Sequence, residues 1–187
     1  MTSDADRCAD YEKFKRIDSA FREGDLAALR AAVDDPASVP NGVVSLTIGS
    51  CLEYAIYHSP LPFIRTLLEI GADPNPREHH GFPPLIAALS CRSIPGAPGR
   101  ADVADIMRLL LTFGADPNQR GINDYTPLHM AVREKNVQAV ELLLAAGADS
   151  HLRTRIDEHE TPRAMAARAG FSAIAELLAE HEKRLGR

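Results

Sequence analysis

The apolar positions of the chain fall in short stripes, each closed by the same polar punctuation. Stretches ending in Leu67-Leu68, Leu109-Leu110-Leu111 and Leu142-Leu143-Leu144 run into Gly71-Ala72-Asp73-Pro74-Asn75, Gly114-Ala115-Asp116-Pro117-Asn118 and Gly147-Ala148-Asp149-Ser150. A glycine after an apolar helical stripe predicts a left-handed residue that ends the helix. The following proline prevents it from restarting, and Asp and Asn favour a turn. Counting back from these glycines gives a matching set of helix starts. Thr126-Pro127-Leu128-His129-Met130-Ala131 is echoed by Pro83-Pro84-Leu85-Ile86-Ala87-Ala88, Ser50-Cys51-Leu52-Glu53-Tyr54-Ala55 and Thr161-Pro162-Arg163-Ala164-Met165-Ala166. Thr or Ser supplies an oxygen to the first free amides, and proline fits the first turn, where its missing N–H has no partner to lose.

The spacing is periodic. Thr126 and Thr161 are 35 residues apart, and Gly114 and Gly147 are 33 apart. Ahead of the repeats, Phe14, Ile17 and Phe21 precede Gly24-Asp25 and a short segment through Leu26, Leu29 and Val33, which predicts a helix-turn-helix without the Thr-Pro-Leu-His start. Behind them, residues 172–185 mix Ile174, Leu177 and Leu178 with Glu176, Glu180, Glu182, Lys183 and Arg184, the amphipathic pattern of a capping helix.

The period and the Thr-Pro-Leu-His-x-Ala start, carried in full by residues 126–131, resemble those of the ankyrin repeat family. The resemblance implies an all-α, ankyrin-repeat solenoid of about five stacked helix-turn-helix units with hairpin loops. Residues 1–187 are read as a single domain, with an N-terminal helical cap at 1–42, repeats at 43–75, 76–118 and 119–151, and a C-terminal capping repeat at 152–187. One such unit cannot bury its own apolar stripe, so stacking is expected to set Val140, Leu143 and Leu144 beside Met107, Leu110 and Leu111 on one side and Leu177 and Leu178 on the other. The interval from Pro127 to Gly147 is 20 residues, whereas that from Pro84 to Gly114 is 30, which marks residues 91–100 as an insertion. Its Pro95, Gly96, Pro98 and Gly99 predict a loop between the two helices of that repeat. In the second repeat Leu46, Thr47 and Ile48 stand where polar hairpin residues belong, and this apolar hairpin is expected to pack on the N-terminal helices.

Composition fits a repetitive helical chain. Alanine accounts for 28 of 187 residues and leucine for 20, tryptophan is absent and aromatics make up 5%. That balance predicts a core of thin aliphatic layers in place of large aromatic anchors. The net charge of −5, with basic and acidic residues interspersed, argues against nucleic acid as a partner. An acidic N-terminus and the lack of an apolar run near 20 residues argue against an export signal and a membrane span, so a cytoplasmic monomer is expected. Cys8, Cys51 and Cys91 are odd in number and widely spaced, as for reduced thiols.

No nucleophile, base or metal cluster emerges, so neither catalysis nor a cofactor is expected. The resemblance gives His129 a structural part, hydrogen bonding between neighbouring turns. It also implies that a protein partner binds the hairpin tips and the exposed face of the inner helices. At the tips this selects His79, His80 and Phe82; Ile122, Asn123 and Tyr125; and Asp157, Glu158 and Glu160. On the inner helices it selects Tyr57, His58, Ser90, Cys91, Arg133, Glu134 and Arg168. Six residues beyond each helix-ending glycine stand Arg77, Arg120 and Arg153, readable as a basic row for an acidic partner or as an ordinary feature of such repeats. The leading function is a noncatalytic protein–protein interaction module. The alternative is an inhibitor, immunity protein or bacterial effector that blocks a partner enzyme, and a more remote one is an enzyme or metal-binding protein. At the left-handed site of each hairpin, Gly81 gives way to Asp124 and then His159, the last the poorer substitute.

Overall fold

Where each helix begins and ends follows from local hydrogen bonding, as seen in a computed structural model that describes residues 4–42, 50–76, 82–91, 99–156 and 159–186. In the first part of the chain, α1 (Asp4–Glu23) and α2 (Leu26–Ala32) are followed by α3 (Cys51–His58) and α4 (Leu61–Glu69). The remainder comprises α5 (Pro84–Ser90), α6 (Val103–Thr112), α7 (Pro127–Arg133), α8 (Val137–Ala145), α9 (Pro162–Arg168) and α10 (Ser172–Arg184). The fold is all-α.

Side-chain caps open five of these helices. Asp25 accepts from the Ala28 amide at 2.9 Å, Ser50 from Glu53 at 3.2 Å, Asn136 from Ala139 at 3.0 Å and Thr161 from Ala164 at 3.2 Å. Thr126 caps α7 reciprocally with His129. Helix α5 begins on Pro83-Pro84 and has no side-chain cap, because proline replaces the threonine of the motif. Three helices end as the punctuation predicts. Gly71, Gly114 and Gly147 adopt φ of +96°, +85° and +87°, and the next amide turns back to the leucine carbonyl five residues earlier, from Ala72 to Leu67 (2.8 Å), Ala115 to Leu110 (3.0 Å) and Ala148 to Leu143 (2.9 Å). The aspartate then accepts from the amide two residues on, 2.8 Å at both Asn75 and Asn118 and 2.9 Å at His151. Asp in this motif therefore shapes the loop backbone.

The chain forms two compact units, residues 1–81 and 82–187. In the first, α1 packs on α2 and α3, and α3 packs on α4. Its centre departs from the aliphatic expectation. Phe21 and Phe63 are fully buried with Ile17, Leu29 and Ile56. The Phe21 ring lies 4.9 Å from Tyr54 and meets Phe63 edge-on at 5.9 Å. A few aromatics concentrated in one unit do what a low overall percentage conceals. Tyr54 donates to Asp18 at 2.6 Å and Arg22 grips the same carboxylate. Burial would raise Asp18, but these hydrogen bonds outweigh it and hold the carboxyl below its ordinary range.

In the second unit, α5, α7 and α9 pack in one row and α6, α8 and α10 in another. The inner row buries Ala87, Ala88, Ala131 and Ala166 completely, small residues that allow short helices to approach. The outer row buries Met107, Leu110, Val140, Leu143 and Leu178, in the stacking order that the repeat predicts. Leu111 and Leu177 are half-buried. Of the inserted segment, Cys91 is buried against α5, while residues 92–98 lie outside the described residues, as do Leu46, Thr47 and Ile48. Leu143→Ala should lower the unfolding free energy by about 2–5 kcal/mol, and Leu142→Ala, at a half-buried position, by clearly less. Urea denaturation of both variants checks the register, and equal losses would contradict it.

Candidate functional site

The connection between α6 and α7 tightens into a two-residue turn. Asn123 and Asp124 both take left-handed backbone, φ of +58° and +62°, the geometry of hairpin turns that Asn and Asp tolerate better than most residues. The Tyr125 amide returns to Ile122 at 3.2 Å and the Gly121 amide to Tyr125 at 2.8 Å, closing the loop at its base. A side-chain carbon at Gly121 would stand 2.8 Å from the buried Ile86 methyl, so glycine lets the loop lie close against α5. The next tip is tied to this one, with the Arg155 amide donating to Asn123 at 2.9 Å. There His159 takes φ of +56°, as Asp124 does one repeat earlier, and its Nδ1 lies 3.1 Å from the Thr154 carbonyl. That ring contact gives this histidine a local reason to occupy a strained conformation.

Between the tips and the inner helices lies an open cleft of about 280 Å³, lined by Phe82, Ile86, Ile122, Asn123, Tyr125, Met130, Arg133 and Ile156. Ile122 is 66% exposed and Ile156 42%, so large apolar groups stand at its rim. Five of the expected contact residues converge here: Phe82, Ile122, Asn123, Tyr125 and Arg133. The other described ones do not line it. Tyr57 is buried with its hydroxyl 3.4 Å from Glu53, and His58 stacks at 4.4 Å on Tyr54, both in the first unit. Ser90 is buried and donates to the Ile86 carbonyl at 2.8 Å, and buried Cys91 contacts the Ala87 carbonyl. Glu134 ends α7, half-buried. Glu160 is buried and holds the exposed Arg168 in a two-pronged ion pair at 2.7 and 2.8 Å. His79, His80, Asp157 and Glu158 lie outside the described residues. A second cleft of about 200 Å³, lined in part by Leu144, His151, His181 and Leu185, contains none of the expected residues.

A model of ankyrin repeats in three copies matches residues 52–154 and 97–187. The chain belongs to the ankyrin repeat family. No curated protein matches it significantly.

The family's helix-start histidine is fully buried here. Nε2 of His129 lies 3.1 Å from the Glu160 carbonyl one repeat on, and Nδ1 lies 3.3 Å from the Thr126 amide and 2.8 Å from its hydroxyl. A carbonyl only accepts, so Nε2 carries the proton and Nδ1 receives the threonine donors. The neutral ring thus joins two ankyrin repeats. Arginine holds loop backbone of this chain too. Arg120 donates to the Arg153 carbonyl at 3.1 Å and Arg153 to the His159 carbonyl at 2.8 Å. Two members of the arginine row therefore hold tip backbone, and Arg77 lies outside the described residues.

Sequence reasoning missed the asparagine latch. Asn118 donates to the Gly147 carbonyl at 3.3 Å and accepts from the Asp149 amide at 2.8 Å, spanning to the next ankyrin repeat. Asn41 makes the same pair with Gly71 and Asp73, both at 2.8 Å. Pro40-Asn41 shares the Pro-Asn end of the loop motif, a signal in the N-terminal cap that the absence of Gly-Ala-Asp before it concealed.

Two outcomes follow from these bridges. Removing both latch bonds with Asn118→Ala should cost about 1–2 kcal/mol, read as a lower denaturation midpoint. For His129, burial holds the imidazole below its ordinary value of 6.5, only partly offset by the Glu160 carbonyl. The unfolded chain therefore binds that proton more readily, so the stabilisation is complete above about pH 6.5 and declines as pH falls below it. Between about pH 7 and about pH 5, the native chain should lose more stability than a His129→Gln variant, and parallel losses would contradict this assignment.

Proposed function

We propose that the chain is a noncatalytic interaction module that holds a protein partner with the hairpin tips and inner-helix face of its second unit. The observation that carries this reading is the cleft itself: Phe82, Tyr125, Ile122 and Ile156 present large apolar groups beside Asn123 and Arg133, with the 121–125 tip closed by its own backbone bonds and tied to Arg155. Rigid aromatic area ringed by polar groups is the composition enriched at protein interfaces. Ankyrin repeats are generally protein-binding modules, which agrees.

Chemistry finds little purchase in comparison. Among the described residues, no three His, Cys, Asp or Glu side chains group closely enough to hold a metal ion. Burial pushes the Cys51 thiol up to about 12 and Cys91 to about 11, so both are protonated and poor nucleophiles at neutral pH. On this reading the chain works as a cytoplasmic monomer without nucleic acid, consistent with its net charge of −5. No described helix is long and apolar enough to cross a membrane.

A Phe82→Ala, Tyr125→Ala double variant should keep its helicity and bind a partner captured from the source cells at least about tenfold more weakly, measured by calorimetry with both proteins purified. Unchanged affinity in the folded double variant would place the interface elsewhere.

A further inference from the structure

The repeat supplies its own comparison for the charge beside the cleft. Arg133 and Arg168 are equivalent residues, each at the C-terminal end of an inner helix, seven residues beyond the threonine that starts it. The residue before that threonine is Tyr125 in one repeat and Glu160 in the next. Glu160 reaches Arg168 with both carboxylate oxygens, at 2.7 and 2.8 Å. Where Tyr125 replaces it, that carboxylate is missing. Arg133 remains exposed, and no hydrogen bond or ion pair engages its guanidinium among the described residues.

Resting on the function proposed above, we infer that the partner contributes an acidic side chain to Arg133, next to an apolar side chain that enters the cleft between Phe82, Ile122 and Tyr125. The guanidinium fork matches a carboxylate in two-pronged geometry, as Arg168 demonstrates within the same chain. An unpaired arginine at the wall of an apolar cleft is desolvated when that cleft is covered, so a partner without a counter-charge there is disfavoured. Arg155, adjacent in sequence to the cleft residue Ile156, is exposed and adds positive charge at the neighbouring tip. The occupant is an extended protein segment with an aliphatic or aromatic residue close in sequence to Asp or Glu.

The probe is a random heptapeptide library displayed on phage and selected on the immobilised full chain. Selected peptides should share an apolar residue within a few positions of Asp or Glu. Synthesised as fluorescent peptides, they should bind Arg133→Gln about tenfold more weakly, with the variant's melting curve unchanged. Selection on Arg133→Glu should replace the acidic residue with Lys or Arg. Peptides that lose binding to the Phe82→Ala, Tyr125→Ala variant yet carry no acidic preference and ignore Arg133→Gln would overturn the acidic pairing and leave the cleft as the interface. Failure to select any peptide sensitive to that double variant would overturn both the pairing and the function on which it rests.

Discussion

A helix of seven to ten residues, such as α5 or α6, lies below the length at which isolated helices hold together in water. Every other feature of the second unit answers to that constraint. Each short helix must share its apolar stripe with a neighbour, so its end has to be fixed in register with the next. The left-handed glycine sets that end. Once Gly114 and Gly147 stop α6 and α8 at corresponding turns, Leu110 and Leu143 fall in successive layers, both fully buried. A glycine displaced by one residue would rotate the stripe by roughly 100° and expose it.

Apolar stacking is nondirectional, and the polar bridges supply the direction. His129 spans from Thr126 to Glu160, Asn118 from its own loop to Gly147 and Asp149, and Arg120 to the carbonyl of Arg153. All three end on backbone of the following repeat, so they fix the path of its loop whatever side chains that loop carries. The consequence for function is a fixed backbone path at the 121–125 tip. Asn123 and Asp124 can sit in left-handed backbone, and Ile122 can stand mostly exposed, because the chain on either side is already held. A partner then meets a surface whose ordering cost was met during folding.

What could be read in the sequence was whatever recurs. The Gly-Ala-Asp loops and the Thr-Pro starts predicted helix ends and stacking order, and both stand in the structure. Non-recurring features were opaque for identifiable reasons. Phe21 and Phe63 pack together across about forty residues of sequence, which no local period encodes. Ser90 and Cys91 occupy the expected face of an inner helix, yet their side chains bond back to the carbonyls one turn before them and stay buried. Glu160 lies in a charged segment at a tip, where contact with a partner is expected. It is instead buried and paired with Arg168, eight residues away.

The two residues that precede the helix-start threonines, Tyr125 and Glu160, also explain how such a scaffold acquires specificity. At both positions the backbone bond uses the carbonyl of the residue before the helix-start threonine, which leaves its side chain to other contacts. The Glu160 carbonyl accepts from His129, and its carboxylate accepts from Arg168. The Tyr125 carbonyl accepts from the Gly121 amide of its own loop, while its side chain lines an apolar cleft with Arg133 at the wall. A single substitution at a structurally permissive site therefore converts an internal ion pair into a demand for an external one. The repeat keeps the arginine at a fixed place on the inner helix, and the identity of one neighbour decides whether its charge is answered from within the chain or by a partner.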